Sequence, residues 1–198
     1  MTTTRRETCR ARSTMAKAAM VAAPRFLRSI LLCAAVAAMT TTMMLNPASA
    51  ADLTKFKLYF HDVVAGPNPT AVRVAQAPSS NSSSTYFGAV VAIDDPLTSE
   101  AASSSQKLGR AQGTYTFADQ TTFGLLMNMN FVFTGGDYKG SSLAIYGRNE
   151  VLSQVREMSI VGGTGKFRMA RGYVEARTVD SGTTSGETVV EYTVYVKA

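Results

Sequence analysis

The chain has 198 residues, 45% of them hydrophobic and 17% charged, which suits one packed domain with a leader and excludes a mostly disordered protein. A formal charge of +6 invites a nucleic-acid or anionic-membrane partner, yet residues 1–50 hold seven of the 20 basic residues and one of the 14 acidic ones. Beyond them 13 of each sign remain, so the chain from Ala51 onward is formally neutral and neither partner is expected.

The first segment reads as a targeting leader. Lys17, Arg25 and Arg28 precede an apolar run over 30–38, and a small-residue cleavage site, Ala48-Ser49-Ala50, follows. A signal peptide is expected over 1–50, with Met15 as an alternative start, and a mature domain over 51–198 in a secreted, extracellular protein. The apolar run is short against the roughly 20 residues of a spanning helix. A membrane anchor, running on to Leu45, is the competing reading. Both cysteines, Cys9 and Cys33, lie in the leader, so the mature domain rests on its core without a disulfide. One glycosylation sequon, Asn81-Ser82-Ser83, falls in a serine-rich stretch read as a loop.

After Ala51 no long segment repeats apolar residues at helical spacing, whereas alternating, β-branched and aromatic runs recur between Gly, Pro, Ser and Asp clusters. The predicted strands are 54–61, 85–93, 109–117, 122–133, 141–146, 155–160, 165–178 and 187–196. Turns are predicted at DDPLT (94–98), TGGDYKG (134–140) and VDSGTTSG (179–186). The pattern is all-β, a closed barrel or a sandwich. In the last strand Val190, Tyr192, Val194 and Val196 share one face, and Val189, Glu191, Thr193 and Tyr195 the other. Two partly apolar faces favour a barrel whose outside meets neighbouring subunits and whose interior holds one small ligand. A sandwich core is the alternative.

The stretch VGGTGKFRMARGY (161–173) resembles a phosphate cradle until its spacing is tested. Ile160 stands where the first glycine of a P-loop belongs, Phe167 replaces the hydroxyl after the lysine, and β-rich sequence follows. A dinucleotide fingerprint fails at Arg168. Gly162, Gly163 and Gly165 therefore read as a tight hairpin turn. One histidine, His61, and no cysteine leave no metal site evident in the domain. A Ser-His-Asp hydrolase would need His61 as base, and no G-x-S-x-G elbow supplies its nucleophile. The pair His61-Asp62 ends the apolar first strand, so at least one of the two is expected to face the interior. Burial would raise the Asp62 carboxyl towards the range useful for proton transfer. A surface turn aspartate is the plainer alternative.

Seven motifs in order, LYFHD (58–62), DDPLT (94–98), LGRAQGTY (108–115), FVFTGGDYKGSSL (131–143), YGRN (146–149), VREMSIVGGTGKFRMARGY (155–173) and VVEYTVYV (189–196), resemble the plant dirigent proteins. That resemblance implies an eight-stranded antiparallel β-barrel, usually a homotrimer, secreted to the plant cell wall, with one elongated pocket per barrel and no cofactor. It implies phenylpropanoid and lignan chemistry on small phenolic substrates. A laccase or peroxidase supplies monolignol radicals, and the barrel holds two of them in one relative pose.

By the same resemblance Asp62 and Arg156 are the catalytic candidates, and Tyr115 and Asn149 bind substrate. Asn149 departs from the aspartate of lignan-forming relatives and cannot exchange a proton at neutral pH. The run YGRNEVLSQVREM is closer to the branch holding pterocarpan-forming dehydratases and gossypol-directing members. For that branch the implied chemistry is loss of a hydroxyl to a quinone methide and attack by an internal phenol. Asp62 would move the proton and Arg156 would steady phenolate charge. A cell-wall ligand-binding or stress protein without turnover is a third reading. Phe60, Phe131, Phe133 and Phe167 read as barrel packing.

Overall fold

The computed structural model describes residues 53–180 and 186–198. The leader, Met15, both cysteines and residues 181–185 of the predicted 179–186 turn lie outside them. Nine strands are present among the described residues: β1 (Thr54–Val63), β2 (Ala71–Ala75), β3 (Val90–Thr98), β4 (Lys107–Phe117), β5 (Gly124–Phe133), β6 (Ser142–Glu150), β7 (Arg156–Thr164), β8 (Arg171–Asp180) and β9 (Glu187–Lys197). They form one antiparallel sheet in the order β1-β9-β8-β7-β6-β5-β4-β3-β2, and β1 also pairs with β3 through Tyr59↔Thr98 and Phe60↔Leu97. That pairing closes an eight-stranded antiparallel barrel of β1 and β3 to β9. Closure leaves β2 as a short flap on the outer half of β3, with Ala71 opposite Ile93.

The seam between β1, β2 and β3 departs from the sequence expectation. The strand predicted at 85–93 runs instead over Val90–Thr98, and DDPLT, expected as a turn, is its second half. Pro96 is tolerated because its missing N–H falls in a gap. The Asp94 N–H, on the same side two residues earlier, donates to the Thr70 carbonyl, and β1 takes up pairing only at Leu97. Thr70 knits this gap, its N–H donating to the Val63 carbonyl and its hydroxyl accepting the Val63 N–H.

The strand predicted at 165–178 begins only at Arg171. Gly162 and Gly163 belong to β7 rather than to the turn, and Gly165 alone takes φ +62, opening the short 3-10 turn Gly165–Phe167. A Cβ on Gly163 would lie 2.6 Å from the Ser142 carbonyl oxygen, so that glycine serves close strand approach. Gly109 of the GRAQG motif does the same, since a Cβ there would sit 2.0 Å from the Val132 carbonyl oxygen.

Alternation places Leu58, Phe60, Met127, Met129, Phe131, Leu143, Met158, Val174 and one face of β9, Val190, Tyr192, Val194 and Val196, in the interior, all buried. One end is plugged by aromatic rings. Tyr138 packs at 4.7 Å from Phe56 and 4.8 Å from Phe167, and Phe133 joins them. The other end, where β1, β4, β6 and β8 finish and β5, β7 and β9 begin, stays hollow.

Candidate functional site

A cavity of about 190 Å³ opens at this end. Phe60, Met127, Val190 and Tyr192 form its floor, Phe117, Phe123 and Val151 its rim, and Asp62, Tyr115, Asn149, Arg156, Thr178 and Thr188 its polar groups. The four candidates Asp62, Tyr115, Asn149 and Arg156 thus converge from β1, β4, β6 and β7 on one space. Phe60 does more than pack the barrel, because it also lines this cavity, whereas Phe131, Phe133 and Phe167 are core.

Asp62 projects inward between apolar walls. Burial pushes its carboxyl up to about 6, opposed by the Tyr115 hydroxyl 3.5 Å from Oδ2. Its Oδ1 is buried with no hydrogen-bond partner among the described residues. Burial, and then the charges of Asp62 and Asp95, push the Tyr115 phenol well above its ordinary range, so it stays a neutral donor. Arg156 is 4% exposed, and burial lowers its guanidinium from the usual value, though arginine remains a cation. Its Nε donates to Asn149 Oδ1 at 3.0 Å. The amide answers the guanidinium without cancelling its charge.

The rim is braced from outside. Asp119 accepts the N–H groups of Thr121 and Thr122 and the guanidinium of Arg148, which together hold its carboxyl far below the usual range. This pins the 118–123 loop that carries Phe123. Tyr86, at φ +55, packs its ring against Phe117 at 5.7 Å and Phe123 at 6.4 Å.

Asn81 lies apart from the cavity. It is exposed on the short turn Ser80–Ser82, its Oδ1 accepting from Arg73. His61 points away from the barrel interior and is nonetheless 1% exposed, bonded to Glu187 and Thr98 at 2.7 Å each. Sequence reading missed Tyr192, Phe117, Phe123, Thr178 and Thr188 as lining. The alternation of β9 set Tyr192 on one face with Val190, Val194 and Val196, but nothing local says which face turns inward or separates a lining ring from a core ring.

A closed β-barrel whose aromatic-lined cavity holds a raised carboxyl, a buried cation and neutral hydrogen-bonding side chains has the form of a small-molecule site. Residues 53–197 match the family described as Dirigent-like protein, and the chain belongs to the dirigent family. Dirigent protein 21 of Arabidopsis thaliana is 54% identical over 144 residues, spanning 73% of this chain and 76% of its own. Pterocarpan synthase 1 of Glycine max is 47% identical over 144 residues, spanning 72% and 77%. Among solved structures, the pterocarpan synthase dirigent protein GePTS1 is similar at a TM-score of 0.68 and 46% identity, covering 73% of this chain and 83% of that one.

Proposed function

We propose that this dirigent protein closes a ring in an isoflavanol-type phenolic alcohol by removing water through a quinone methide. The observation that carries this reading is Asp62, a carboxyl near 6 facing an apolar cavity beside a buried guanidinium. As the acid, Asp62 gives its proton to the departing benzylic hydroxyl, the C–O bond breaks and water leaves. A ring phenol gives up its proton as the quinone methide forms. A second phenol then attacks the benzylic carbon, and its proton restores the acid. The first phenol oxygen, left as a phenolate by the attack, takes back from solvent the proton it released there, so one substrate yields one cyclised product and one water. Arg156 stabilises the negative charge that grows on the phenolic oxygen, and the neutral Tyr115 hydroxyl donates to a substrate oxygen. The similarity to pterocarpan synthases supports the substrate class.

A second reading, stereoselective coupling of monolignol radicals made by a laccase or peroxidase, draws support from the aromatic walls Phe60, Phe117, Phe123 and Tyr192, which suit flat phenoxy rings. Purified protein is incubated with a 2′-hydroxyisoflavanol without oxidant, and in parallel with coniferyl alcohol and a laccase, with chiral chromatography of both. Cyclised product in the first mixture and racemic dimers in the second are expected. No cyclisation together with one enantiomer in the second would replace the first reading by the second. On either reading the protein is secreted to the cell wall, is glycosylated at the exposed Asn81 and works as a homotrimer. A mass step removed by Asn81→Gln and light scattering at three times the chain mass test the last two.

A further inference from the structure

A second acid faces the same interior. Asp95 on β3 lies in register with Ala111 of β4, shares the inward face with Ile93 and Leu97, and is 0% exposed. Its Oδ1 accepts a short hydrogen bond from the Thr70 hydroxyl, whose own acceptor side holds the Val63 N–H. Its Oδ2 is buried without a hydrogen-bond partner among the described residues. Asp62 Oδ1 is in the same condition. Two buried carboxylates, each with an unmet oxygen, would be costly as a pair of anions, and a protonated carboxyl removes most of that cost.

The surroundings decide which acid keeps the proton. Asp62 lines the cavity and Asp95 does not, so Asp95 is the farther from any ligand. Burial comes first among the causes that push Asp95 up to about 8, and the charge of Asp62 adds to it. The other ionisable groups do not reverse this. Asp94, its neighbour on β3, is outside and paired with Arg110 of β4 at 2.6 Å, so that cation is answered at the surface. Tyr115 on β4 and Tyr192 on β9 are neutral phenols, both raised by burial and by the two aspartates. Arg156 on β7 acts on Tyr192 and holds Asn149.

We propose that Asp95 is a positioning acid of the dirigent site, kept neutral behind Asp62 so that Asp62 alone exchanges its proton with the phenolic ligand. This rests on the reading of Asp62 as the proton-transfer group. An ionised Asp95 would repel charge on Asp62 and hold it protonated, while a neutral one leaves Asp62 free to cycle between both forms. Thr70, fixed by the seam of β1 and β2, sets the orientation of Asp95.

The test is a carboxyl titration of the full chain carrying 13C-labelled aspartate, followed by NMR without substrate. Two interior steps are expected, Asp62 ionising first and Asp95 later. Asp95→Asn should remove the later step and leave the Asp62 midpoint within about half a pH unit, since asparagine imitates the neutral acid. Asp62→Asn should move the Asp95 step to lower pH, which a residue with only a packing role would not show. An Asp95 that ionises together with or before Asp62, or whose midpoint ignores Asp62→Asn, overturns the proposal. If Asp95→Asn does not fold, the order of the two steps in the unaltered protein decides. Because no substrate is present, failure here is separable from failure to turn over an isoflavanol.

Discussion

Arg156 and Asn149 face each other across the β6–β7 hairpin, the Nε of one donating to the Oδ1 of the other at 3.0 Å with both side chains buried. The pairing satisfies a buried guanidinium N–H with a neutral group, so Arg156 keeps its positive charge uncancelled by its partner where a phenolate would form.

Asn149→Asp tests that charge. The aspartate would accept the same hydrogen bond and neutralise the guanidinium, as a buried ion pair does. The fold should hold, with a urea midpoint at or above that of the unaltered protein. The kcat for cyclisation should fall by about tenfold, which is ~1.4 kcal/mol of lost transition-state stabilisation. Unchanged kcat with the ion pair visible in a structure would remove the electrostatic role of Arg156.

Asp62→Asn addresses the proton. General acid catalysis contributes about 10²–10⁴-fold, so kcat should drop by that range while KM changes little, because the amide keeps the shape and a hydrogen bond to Tyr115. In the unaltered protein the rate should decline as pH rises through about 6, where the acid form of Asp62 is lost. A flat profile between pH 5 and 8, or an asparagine variant that retains full kcat, would move the acid elsewhere.

The two-faced alternation of β9, the aspartate ending β1 and, of the three glycines read as a turn, Gly165 were legible, because side-chain period and φ requirements act locally, whereas which face of β9 turns inward was not. The seam was not. DDPLT has the composition of a turn, and only the handover of β3 from β2 to β1 makes room there for a proline and an inward aspartate. That handover is a tertiary fact with no local signal. The same holds for β2, whose Val72 and Val74 are exposed, so its five residues show no buried alternating face. The site residues Asp62, Tyr115, Asn149 and Arg156 came from the family motifs. Their convergence needed the barrel to close.

His61→Leu tests closure directly. Since the Thr98 hydroxyl donates to the Glu100 carbonyl, the imidazole Nε2 must donate to Thr98, while Nδ1 meets Glu187, tying β9, β1 and the end of β3 together. Leucine would leave the buried Thr98 oxygen without this donor, a loss of ~1–3 kcal/mol. Urea unfolding should show it, and cyclisation per folded molecule should be unchanged because His61 faces away from the cavity. Loss of turnover with stability intact would instead make the imidazole catalytic.

The two interior acids give stability a definite slope against pH. Both are raised from the ordinary 3.8, Asp62 to about 6 and Asp95 to about 8, so the folded protein binds a proton that the unfolded chain has already released. Their protonation therefore favours folding fully below pH 3.8. Rising pH withdraws that advantage, through about 6 for Asp62 and about 8 for Asp95, at ~1.4 kcal/mol per unit for each group. Asp95→Asn removes the longer of the two declines. Thermal midpoints of the variant and the unaltered protein should lie close together at pH 4 and separate by pH 8, with the variant higher. A gap that is the same at both pH values would mean that the Asp95 carboxyl ionises in the folded barrel as readily as in the open chain.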